Sequence, residues 1–397
     1  MRSRWLLVAA MLLAAVNLRT AVTSVGPVLD ELEAGVGVSG GTAGLLTTLP
    51  VLSFALLGSL TPRLARRYGE RRVLCAGLLL MTAGLLTRAL VDAALLFLLL
   101  SVFALAGGAI GNVLLPVLVK RHFPDRIGAM TAAYTTALAV GTTAAAAATV
   151  PIASLRGGID WRLGLGVWAV PAAAGAAIWL RPAWRDRPLP ADEHPPRPSV
   201  HRSRTAWALA LFFGSQSMQA YIAFGWFALY FREQAGSSAT QAGLLVAVLA
   251  AVAVPVSLVV PAVAARFPDQ RPVLAVLIAC YVTAYVGMLA APRGGAWLWV
   301  LLVGVAGGAF PLALTMIGLR TRTPEATASL SAFAQSAGYL VAGSGPLLVG
   351  VLHATTGGWG WPFALLFSDL VLMAGAGWYA AQPRYVEDDL AELVPAR

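Results

Sequence analysis

Apolar stretches of about twenty residues recur from one end of this 397-residue chain to the other. Each is long enough to cross the roughly 30 Å hydrocarbon core of a bilayer as an α-helix. Charged residues make up only 12% of the chain, about half the share in a soluble domain. The apolar runs are continuous and lack the alternation of a membrane β-barrel, so the sequence predicts an all-α membrane protein. The twelve predicted spans are 5–29, 43–62, 73–91, 94–119, 127–150, 162–180, 205–231, 241–264, 273–291, 296–319, 326–352 and 361–381.

Positively charged residues are distributed unevenly along this predicted topology. If the N-terminus is cytoplasmic, about 22 of the 28 Lys and Arg residues fall on the cytoplasmic side, as the positive-inside rule requires. The basic residues that produce the net charge of +10 then determine the topology and contact anionic lipid headgroups. The charge does not indicate nucleic-acid binding. We expect a multi-pass protein of the cell membrane with both termini in the cytoplasm. The basic residues assigned to the outer side are Arg88, Arg156, Arg162, Arg232 and Arg293.

The sequence contains an internal repeat with a period of about 200 residues. The stretch AGGAIGNVLLPVLVKRHFPDR at 106–126 aligns with AGGAFPLALTMIGLRTRTPEA at 306–326. A shift of 199 residues aligns AGLL at 43–46 with AGLL at 242–245. Because the offset is nearly constant in two separate stretches, the repeat indicates a duplication of six helices.

The duplication divides the chain into four predicted regions. An N-terminal six-helix half covers 1–180, and a C-terminal six-helix half covers 205–381. Between them, RPAWRDRPLPADEHPPRPSVHRSR at 181–204 predicts a cytoplasmic Pro/Arg-rich linker. Residues 382–397 form a predicted cytoplasmic tail.

Two six-helix halves joined by a cytoplasmic linker resemble the major facilitator superfamily of transporters. The resemblance implies a major facilitator fold, in which twelve helices in two pseudo-symmetric halves alternately expose a central solute site. Many members carry Gly-x-Leu-Ala-Asp-Arg-x-Gly-Arg-Arg after the second span, where this chain has PRLARRYGERR at 62–72. Arg67, Gly69 and Arg71 match this motif, which implies a conformational gating loop. Arg66 stands where the motif has Asp.

Longer stretches resemble one branch of that superfamily, the cyanate permease and 2-nitroimidazole transporter family. They lie in most predicted helices of both halves. This resemblance implies secondary transport of a small anionic or weakly acidic organic solute, cyanate-like or nitroimidazole-like. The resembling stretches are AVNLRTAVTSVGPVL (15–29), GLLTTLPVLSFALL (44–57), GNVLLPVLVKRHFPDRIGAMTAAYTTAL (111–138), LFFGSQSMQAY (211–221), DQRP (269–272), FPLALTMIGLRTRTPE (310–325) and AQSAGYLVAGSGPLLVGVLHATTGGW (334–359).

A polar stripe interrupts the first predicted span. On an ideal helix, Arg19 falls within an arc of roughly 160° that also contains Asn17, Thr20, Thr23 and Ser24. A guanidinium at mid-membrane costs about 2.5–3.5 kcal/mol to insert, so we expect Arg19 to face the bundle or a water-filled cavity. Arg19 lies about fifteen residues into the span, so its side chain is too far from the membrane interface to reach it by snorkelling. Its permanent charge and forked donors suit a small anion or nitro group, so Arg19 and Asn17 are predicted solute ligands.

Other polar or aromatic residues within the predicted spans are further candidate solute ligands. For the amides, an interhelical hydrogen bond worth about 0.6 kcal/mol on average is the competing interpretation, and the sequence leaves both open. Tyr230 is expected in an interfacial aromatic belt, and the glycine pairs at 107–108 and 307–308 are expected to permit close helix packing. The further candidates are Asn112, Tyr134, Gln216, Gln219, Trp226, Gln335 and Tyr339.

The sequence does not identify a coupling residue for transport. Proton-coupled carriers commonly use an intramembrane carboxylate, and the first, fourth, seventh and tenth predicted spans hold none at their centres. Asp369 lies in the twelfth span, which is usually peripheral in the resembling architecture, so we do not assign coupling to it.

Other classes of function are less compatible with the sequence. A proton-linked drug or metabolite efflux pump is the alternative, although the fifth predicted span lacks the Gly-Pro-rich run typical of drug–proton antiporters. An intramembrane enzyme is not expected because the four His residues are not at metal-ligand spacing, and a sensor would normally need a soluble output domain. We expect no cofactor and no metal. The expected partners of this monomer are the small-molecule solute and membrane lipid, and not nucleic acid.

Overall fold

The computed structural model describes residues 2–36, 40–184 and 199–392, which form helices joined by short turns. All twelve predicted spans are helical, and nine helical stretches of the described chain are long and apolar enough to cross a membrane. The first, sixth and tenth spans are each interrupted. The helices are α1 (Arg2–Asn17), α2 (Thr20–Thr23), α3 (Leu29–Val36), α4 (Gly40–Tyr68), α5 (Glu70–Arg88), α6 (Ala94–His122), α7 (Ile127–Ala153), α8 (Trp161–Gly166), α9 (Ala169–Trp184), α10 (Arg204–Ala235), α11 (Ala239–Ala264), α12 (Arg271–Ala290), α13 (Ala296–Ala306), α14 (Ala309–Leu319), α15 (Pro324–Thr356), α16 (Gly360–Ala380) and α17 (Val386–Ala391).

The chain divides into two compact units, the first of Met1–Leu118 and Ala133–Pro196 and the second of Val119–Ala132 and Arg197–Arg397. The first unit therefore lacks 119–132, which the sequence had led us to expect within the N-terminal half. Within the second unit, Lys120 Nζ donates to the Gly318 carbonyl oxygen at 3.2 Å, and Arg121 pairs with Glu325 at 2.8 Å. Of the predicted linker, 185–198 lies outside the described residues, while α9 extends to Trp184 and α10 begins at Arg204.

The first unit is held together by small residues and by buried tryptophan. A Cβ on Gly84 of α5 would lie 2.3 Å from the backbone nitrogen of Ala104 in α6, so only glycine permits this approach. Trp179 of α9 is fully buried, and its indole N–H donates to the Ala10 carbonyl oxygen of α1 at 2.9 Å. These contacts fix α1 and α6 against the α5–α9 pair.

The second unit is built around α10, which packs along α15 and against α16. A Cβ on Gly214 would lie 2.9 Å from the Gly338 carbonyl oxygen, so the α10 and α15 backbones meet at these two glycines. The prediction that Tyr230 lies in an interfacial belt is wrong. Tyr230 is buried, its hydroxyl donates to the Met288 carbonyl oxygen, and its ring packs edge-on against Trp359.

The described part of the predicted tail, 382–392, contains helix α17. The Val386 N–H donates to the Arg320 carbonyl oxygen at 3.0 Å, and this contact starts α17. Asp389 Oδ2 accepts from Ser203 Oγ at 2.6 Å and from the Thr205 N–H at 2.9 Å. Asp388 faces outward, where the Arg322 guanidinium hydrogen-bonds to its carboxylate and lowers the pKa of that group. Helix α17 thus fastens to the first turn of α10.

Asp389→Ala is expected to lower the thermal unfolding midpoint of the purified protein. It removes an acceptor for the first turn of α10, a loss worth about 1 kcal/mol in helix capping. Asp388→Ala is the matched control and should change the midpoint little, because its ion pair with Arg322 is exposed. Equal midpoints for the two variants would show that the cap on α10 contributes nothing.

Candidate functional site

The first span is broken at the residue that the sequence singles out. Helix α1 ends at Asn17 and α2 begins at Thr20, with Arg19 between them at φ −120° and ψ −1°. The Thr20 hydroxyl satisfies a carbonyl at the break, since Thr20 Oγ1 donates to the Asn17 carbonyl oxygen at 3.0 Å. The Arg19 carbonyl oxygen accepts from the backbone N–H groups of Val22 and Thr23, and Thr23 Oγ1 adds a further donor at 3.0 Å. Part of the polar stripe therefore has a backbone role, because unsatisfied carbonyls are not tolerated inside a membrane.

Glycines of two neighbouring helices enclose the break. A Cβ on Gly108 of α6 would lie 2.3 Å from the Leu18 carbonyl oxygen, and a Cβ on Gly111 would lie 2.3 Å from Leu18 Cδ2. A Cβ on Gly141 of α7 would lie 1.9 Å from the Val16 carbonyl oxygen. The predicted close packing at 107–108 is thus confirmed. The predicted close packing at 307–308 is confirmed as well, because a Cβ on Gly308 would lie 2.7 Å from Val256 Cγ1.

Asn17 and Arg19 have different surroundings in the first unit. Asn17 is fully buried, and its Nδ2 donates to the Leu13 carbonyl oxygen at 2.8 Å and to that of Pro171 in α9 at 3.0 Å. Asn17 Oδ1 accepts no hydrogen bond. Arg19 is half-buried. The amide donors of Asn17 therefore connect α1 to α9, and Arg19 supplies the charge at the break.

Asn112 and Tyr134 are both buried in the first unit. Asn112 follows Gly108 by one turn of α6, and Tyr134 precedes Gly141 by two turns of α7, so each shares a helix face with its glycine. Those are the faces that meet α1 next to the break. The structure thus brings Asn112 and Tyr134 onto helix faces directed at the Arg19 segment, and their role as solute ligands remains a prediction.

The second unit places Gln216, Gln335 and Tyr339 in its interior. Gln216 Nε2 donates to the Phe213 carbonyl oxygen at 3.0 Å and to Ser217 Oγ at 2.6 Å. Gln335 Nε2 donates to Ser331 Oγ at 2.8 Å, one turn earlier in α15. The Tyr339 ring packs edge-on against Phe213 with centroids 5.1 Å apart. These three candidates lie on either side of the α10–α15 contact.

Gln219 joins a buried network that sequence reasoning missed. Its Nε2 donates to Asp369 Oδ2 at 2.9 Å and to the Leu366 carbonyl oxygen at 3.0 Å, and its Oε1 accepts from the Tyr285 hydroxyl at 2.6 Å. The Ser215 hydroxyl lies beside the Asp369 carboxylate. Gln219 thus connects α10 to α12 and α16 within its own unit.

Trp226 also has its polar atom engaged inside the second unit. Its indole N–H donates to the Pro346 carbonyl oxygen at 3.1 Å, and its ring lies 6.3 Å from that of His353. His353 Nε2 and Trp359 Nε1 both contact Glu233 Oε2, at 3.0 and 2.8 Å, and the Trp359 bond is the main reason why the pKa of Glu233 is lowered. Trp226 therefore neighbours a polar cluster at the end of α10.

Arg88 is buried, which the sequence alone did not indicate. The sequence assigned it to the outer side, and in the structure it is only 1% exposed at the end of α5. Its Nη1 donates to the Ala21 carbonyl oxygen at 3.1 Å, its Nη2 to Ser24 Oγ at 3.4 Å, and its guanidinium lies over the Phe97 ring. Arg88 thus braces the chain just after the break, and its position next to a loop gave no signal of this.

The predicted gating loop is a single-residue connection between α4 and α5. Gly69 has φ +91°, a conformation that strongly favours glycine, and its N–H donates to the Ala65 carbonyl oxygen at 2.8 Å. Arg67 is exposed and Arg71 half-buried. The structure explains the glycine of the motif by the turn, and gating by the two arginines remains a prediction.

The long apolar helices of the described chain define a helical membrane protein, and comparisons with known proteins identify its family. Residues 11–343 match the Major Facilitator Superfamily, and the chain belongs to it. The chain is 36% identical over 392 residues to the 2-nitroimidazole transporter of Escherichia coli (strain K12), covering 97% of this chain and 98% of the relative. It is 30% identical over 364 residues to the cyanate transport protein CynX of the same organism, covering 90% and 92%.

A solved structure confirms the fold class. The proton:xylose symporter XylE bound to 6-bromo-6-deoxy-D-glucose matches with a TM-score of 0.77, covering 98% of both chains at 15% sequence identity. At that identity the match concerns the fold alone. The predicted major facilitator fold and the resemblance to the cyanate and 2-nitroimidazole family are both confirmed.

Gly141→Ala is expected to destabilise the first unit. The added Cβ would lie 1.9 Å from the Val16 carbonyl oxygen, and separating α7 from α1 costs about 1–3 kcal/mol. Gly243→Ala in α11 is the control, since its Cβ meets nothing within 4 Å and alanine favours the helix. Thermal unfolding in detergent separates the two, and an unchanged midpoint for Gly141→Ala would contradict the close approach.

Asp369→Asn is expected to preserve the thermal unfolding midpoint, whereas Asp369→Leu should lower it. Asparagine keeps an acceptor for Gln219 and gains a donor for Ser215, but leucine leaves a buried Gln219 N–H unsatisfied, at about 1–3 kcal/mol. Ser368→Ala, at an exposed neighbour bonded to its own helix, is the control. If Asp369→Asn is as unstable as Asp369→Leu, the charge itself is required.

Proposed function

We propose that the protein is a secondary transporter of a small anionic or weakly acidic organic solute, cyanate-like or nitroimidazole-like. It moves this solute across the cell membrane by alternating access between the two halves of the fold. Both termini lie in the cytoplasm, the side on which the positive-inside rule places most of the basic residues. The proposal rests on one observation, the arginine at the break of the first span.

Arg19 combines three properties that favour a role in solute binding. It lies about fifteen residues into a membrane span, where placing a charge costs about 2.5–3.5 kcal/mol and is usually retained for function. It is half-buried, so part of its side chain is accessible. It sits where the helix is interrupted, and interrupted spans are where this type of transporter binds its substrates.

The chemistry of the guanidinium limits the solute class. Arginine stays protonated at every physiological pH and offers five N–H donors in a planar fork, which matches a carboxylate, a nitro group or a small linear anion. A cationic solute would be repelled. The names of the two relatives support this class, because 2-nitroimidazole and cyanate are both small and can present an electron-rich terminal group to a cation.

The remaining candidates divide by how their polar atoms are used. Asn112 and Tyr134 lie on helix faces directed at the broken segment and are proposed as further contacts in the first unit. Gln216, Gln335 and Tyr339 are proposed for the second unit. Asn17, Gln219 and Trp226 each donate to another helix of their own unit, whereas Gln216 and Gln335 donate within their own helix, so we assign the first three a positioning role.

Arg19→Gln is expected to abolish saturable uptake in proteoliposomes while the protein stays folded. Losing a charged hydrogen-bond partner costs up to about 3 kcal/mol, which raises the half-saturation concentration on the order of 100-fold. Arg19→Lys should retain part of the uptake because it keeps the charge and loses only the fork. Labelled cyanate and 2-nitroimidazole are tested separately, each with and without an imposed pH gradient.

Arg232→Gln is the control for this experiment, since Arg232 is exposed at the end of α10 and should support normal uptake. Thermal unfolding of each variant separates loss of transport from loss of fold. Arg19→Gln with normal uptake would overturn the role of Arg19. Active, folded protein that takes up neither solute would contradict the proposed substrate class and favour bulkier exported compounds.

A further inference from the structure

A groove of about 680 Å³ lies on the second unit, between the first turns of α10 and the last turns of α16. One end of its lining is basic and aromatic, and the rest is apolar. It is separate from every candidate solute ligand discussed above. Its lining residues are His201, Arg202, Arg204, Trp207, Ala208, Leu211, Val371, Leu372, Gly375, Ala376 and Tyr379.

The apolar part of the groove has the dimensions of one lipid chain in one leaflet. Its lining residues recur every three or four positions on both helices, so they form one continuous face of each. At 1.5 Å per residue, 204–211 and 371–379 extend about 10–12 Å along the helix axes, most of the roughly 15 Å of one leaflet's hydrocarbon. Val371 is 73% exposed, and a Cβ on Gly375 would meet nothing within 4 Å, so the groove is open on its lipid-facing side.

The basic end carries uncompensated positive charge. Arg202 and Arg204 are exposed, and neither forms an ion pair within the part of the chain that the structure describes. Other exposed arginines of the same unit do pair, such as Arg322 with Asp388. The nearby Asp389 carboxylate accepts from Ser203 and Thr205, and its Oδ2 is engaged in capping α10.

Two aromatic residues mark the depth at which the basic end meets the membrane surface. Trp207 is 48% exposed and donates its indole N–H to the His201 carbonyl oxygen at 2.8 Å. On the opposite wall, the Tyr379 hydroxyl lies 3.4 Å from Arg384 Nη1. Trp and Tyr with one polar and one apolar side are typical of the headgroup level.

We propose that this groove binds one anionic phospholipid. Its phosphodiester lies against Arg202 and Arg204, and one acyl chain lies along Ala208, Leu211 and Gly375. The apolar lining favours a lipid over a free anion, and the unpaired arginines favour an anionic headgroup over a neutral one. The bound lipid fills the space between α10 and α16 and therefore stabilises the second unit.

The test is lipid binding to the delipidated, purified full-length protein in detergent. Phosphatidylglycerol, phosphatidylethanolamine and inorganic phosphate are added separately, and bound molecules are counted by native mass spectrometry alongside the thermal unfolding midpoint. Phosphatidylglycerol should bind and raise the midpoint, and the other two should not. The double variant Arg202→Gln/Arg204→Gln should bind phosphatidylglycerol on the order of 30-fold more weakly, the factor for about 1 kcal/mol per arginine.

Two further variants separate the acyl slot from general electrostatics. Gly375→Leu places a side chain in the groove and favours the helix, so it should keep the protein folded and prevent phosphatidylglycerol binding. Arg266→Gln, an exposed arginine outside the groove, should bind phosphatidylglycerol normally. Unchanged binding in the double variant or in Gly375→Leu would overturn the proposal. Equal loss in Arg266→Gln, or binding of inorganic phosphate that displaces phosphatidylglycerol, would overturn it as well.

Discussion

A backbone carbonyl without a donor costs several kcal/mol inside a bilayer, and the first span of this protein is organised around that constraint. The helix stops at Asn17, and the Thr20 hydroxyl donates to the carbonyl oxygen of Asn17. The Arg19 carbonyl oxygen accepts from the Val22 and Thr23 backbone N–H groups and from the Thr23 hydroxyl. The break is then held in place because glycines let α6 and α7 reach its backbone. The polar residues in AAVNLRTAVTSVGP therefore make it possible to hold a charge at mid-membrane.

The two halves of the fold share a sequence repeat, but their helices are interrupted at different places. The first span is broken at Arg19, whereas its counterpart α10 runs unbroken from Arg204 to Ala235. In the fourth span of each half the situation is reversed, because α6 is continuous and α13 and α14 are separated at Gly307–Gly308. Asn17 and Gln216 align in the repeat, yet Asn17 donates to another helix and Gln216 donates within its own. A duplication can thus keep the fold while each copy acquires its own polar interior.

Apolar length was enough to predict the helices, because spanning a bilayer requires about twenty apolar residues whatever their neighbours are. The family was predicted from the resemblance of the quoted motifs and stretches. The break in the first span could not be predicted, since its backbone is contacted by Gly108 and Gly141, about 90 and 120 residues away in sequence. The burial of Arg88 and the bond between Gln219 and Asp369 have the same origin. Sequence periodicity shows which face of a helix is polar. It does not show how the neighbouring helix is rotated, and so it does not identify the residue that a polar side chain contacts. For this reason the sequence did not separate Gln219, which connects three helices, from the other candidates.

The contact of Asp389 with the first turn of α10 has a consequence for biosynthesis. Ser203 and Asp389 are 186 residues apart, so the first turn of α10 receives this acceptor only after 186 further residues have been synthesised. Until then, the Thr205 N–H lacks the acceptor that it has in the finished protein. Helix α17 therefore completes the first turn of α10 late in synthesis. A chain interrupted before residue 389 would contain α10 but would lack the carboxylate that accepts from Ser203 and Thr205.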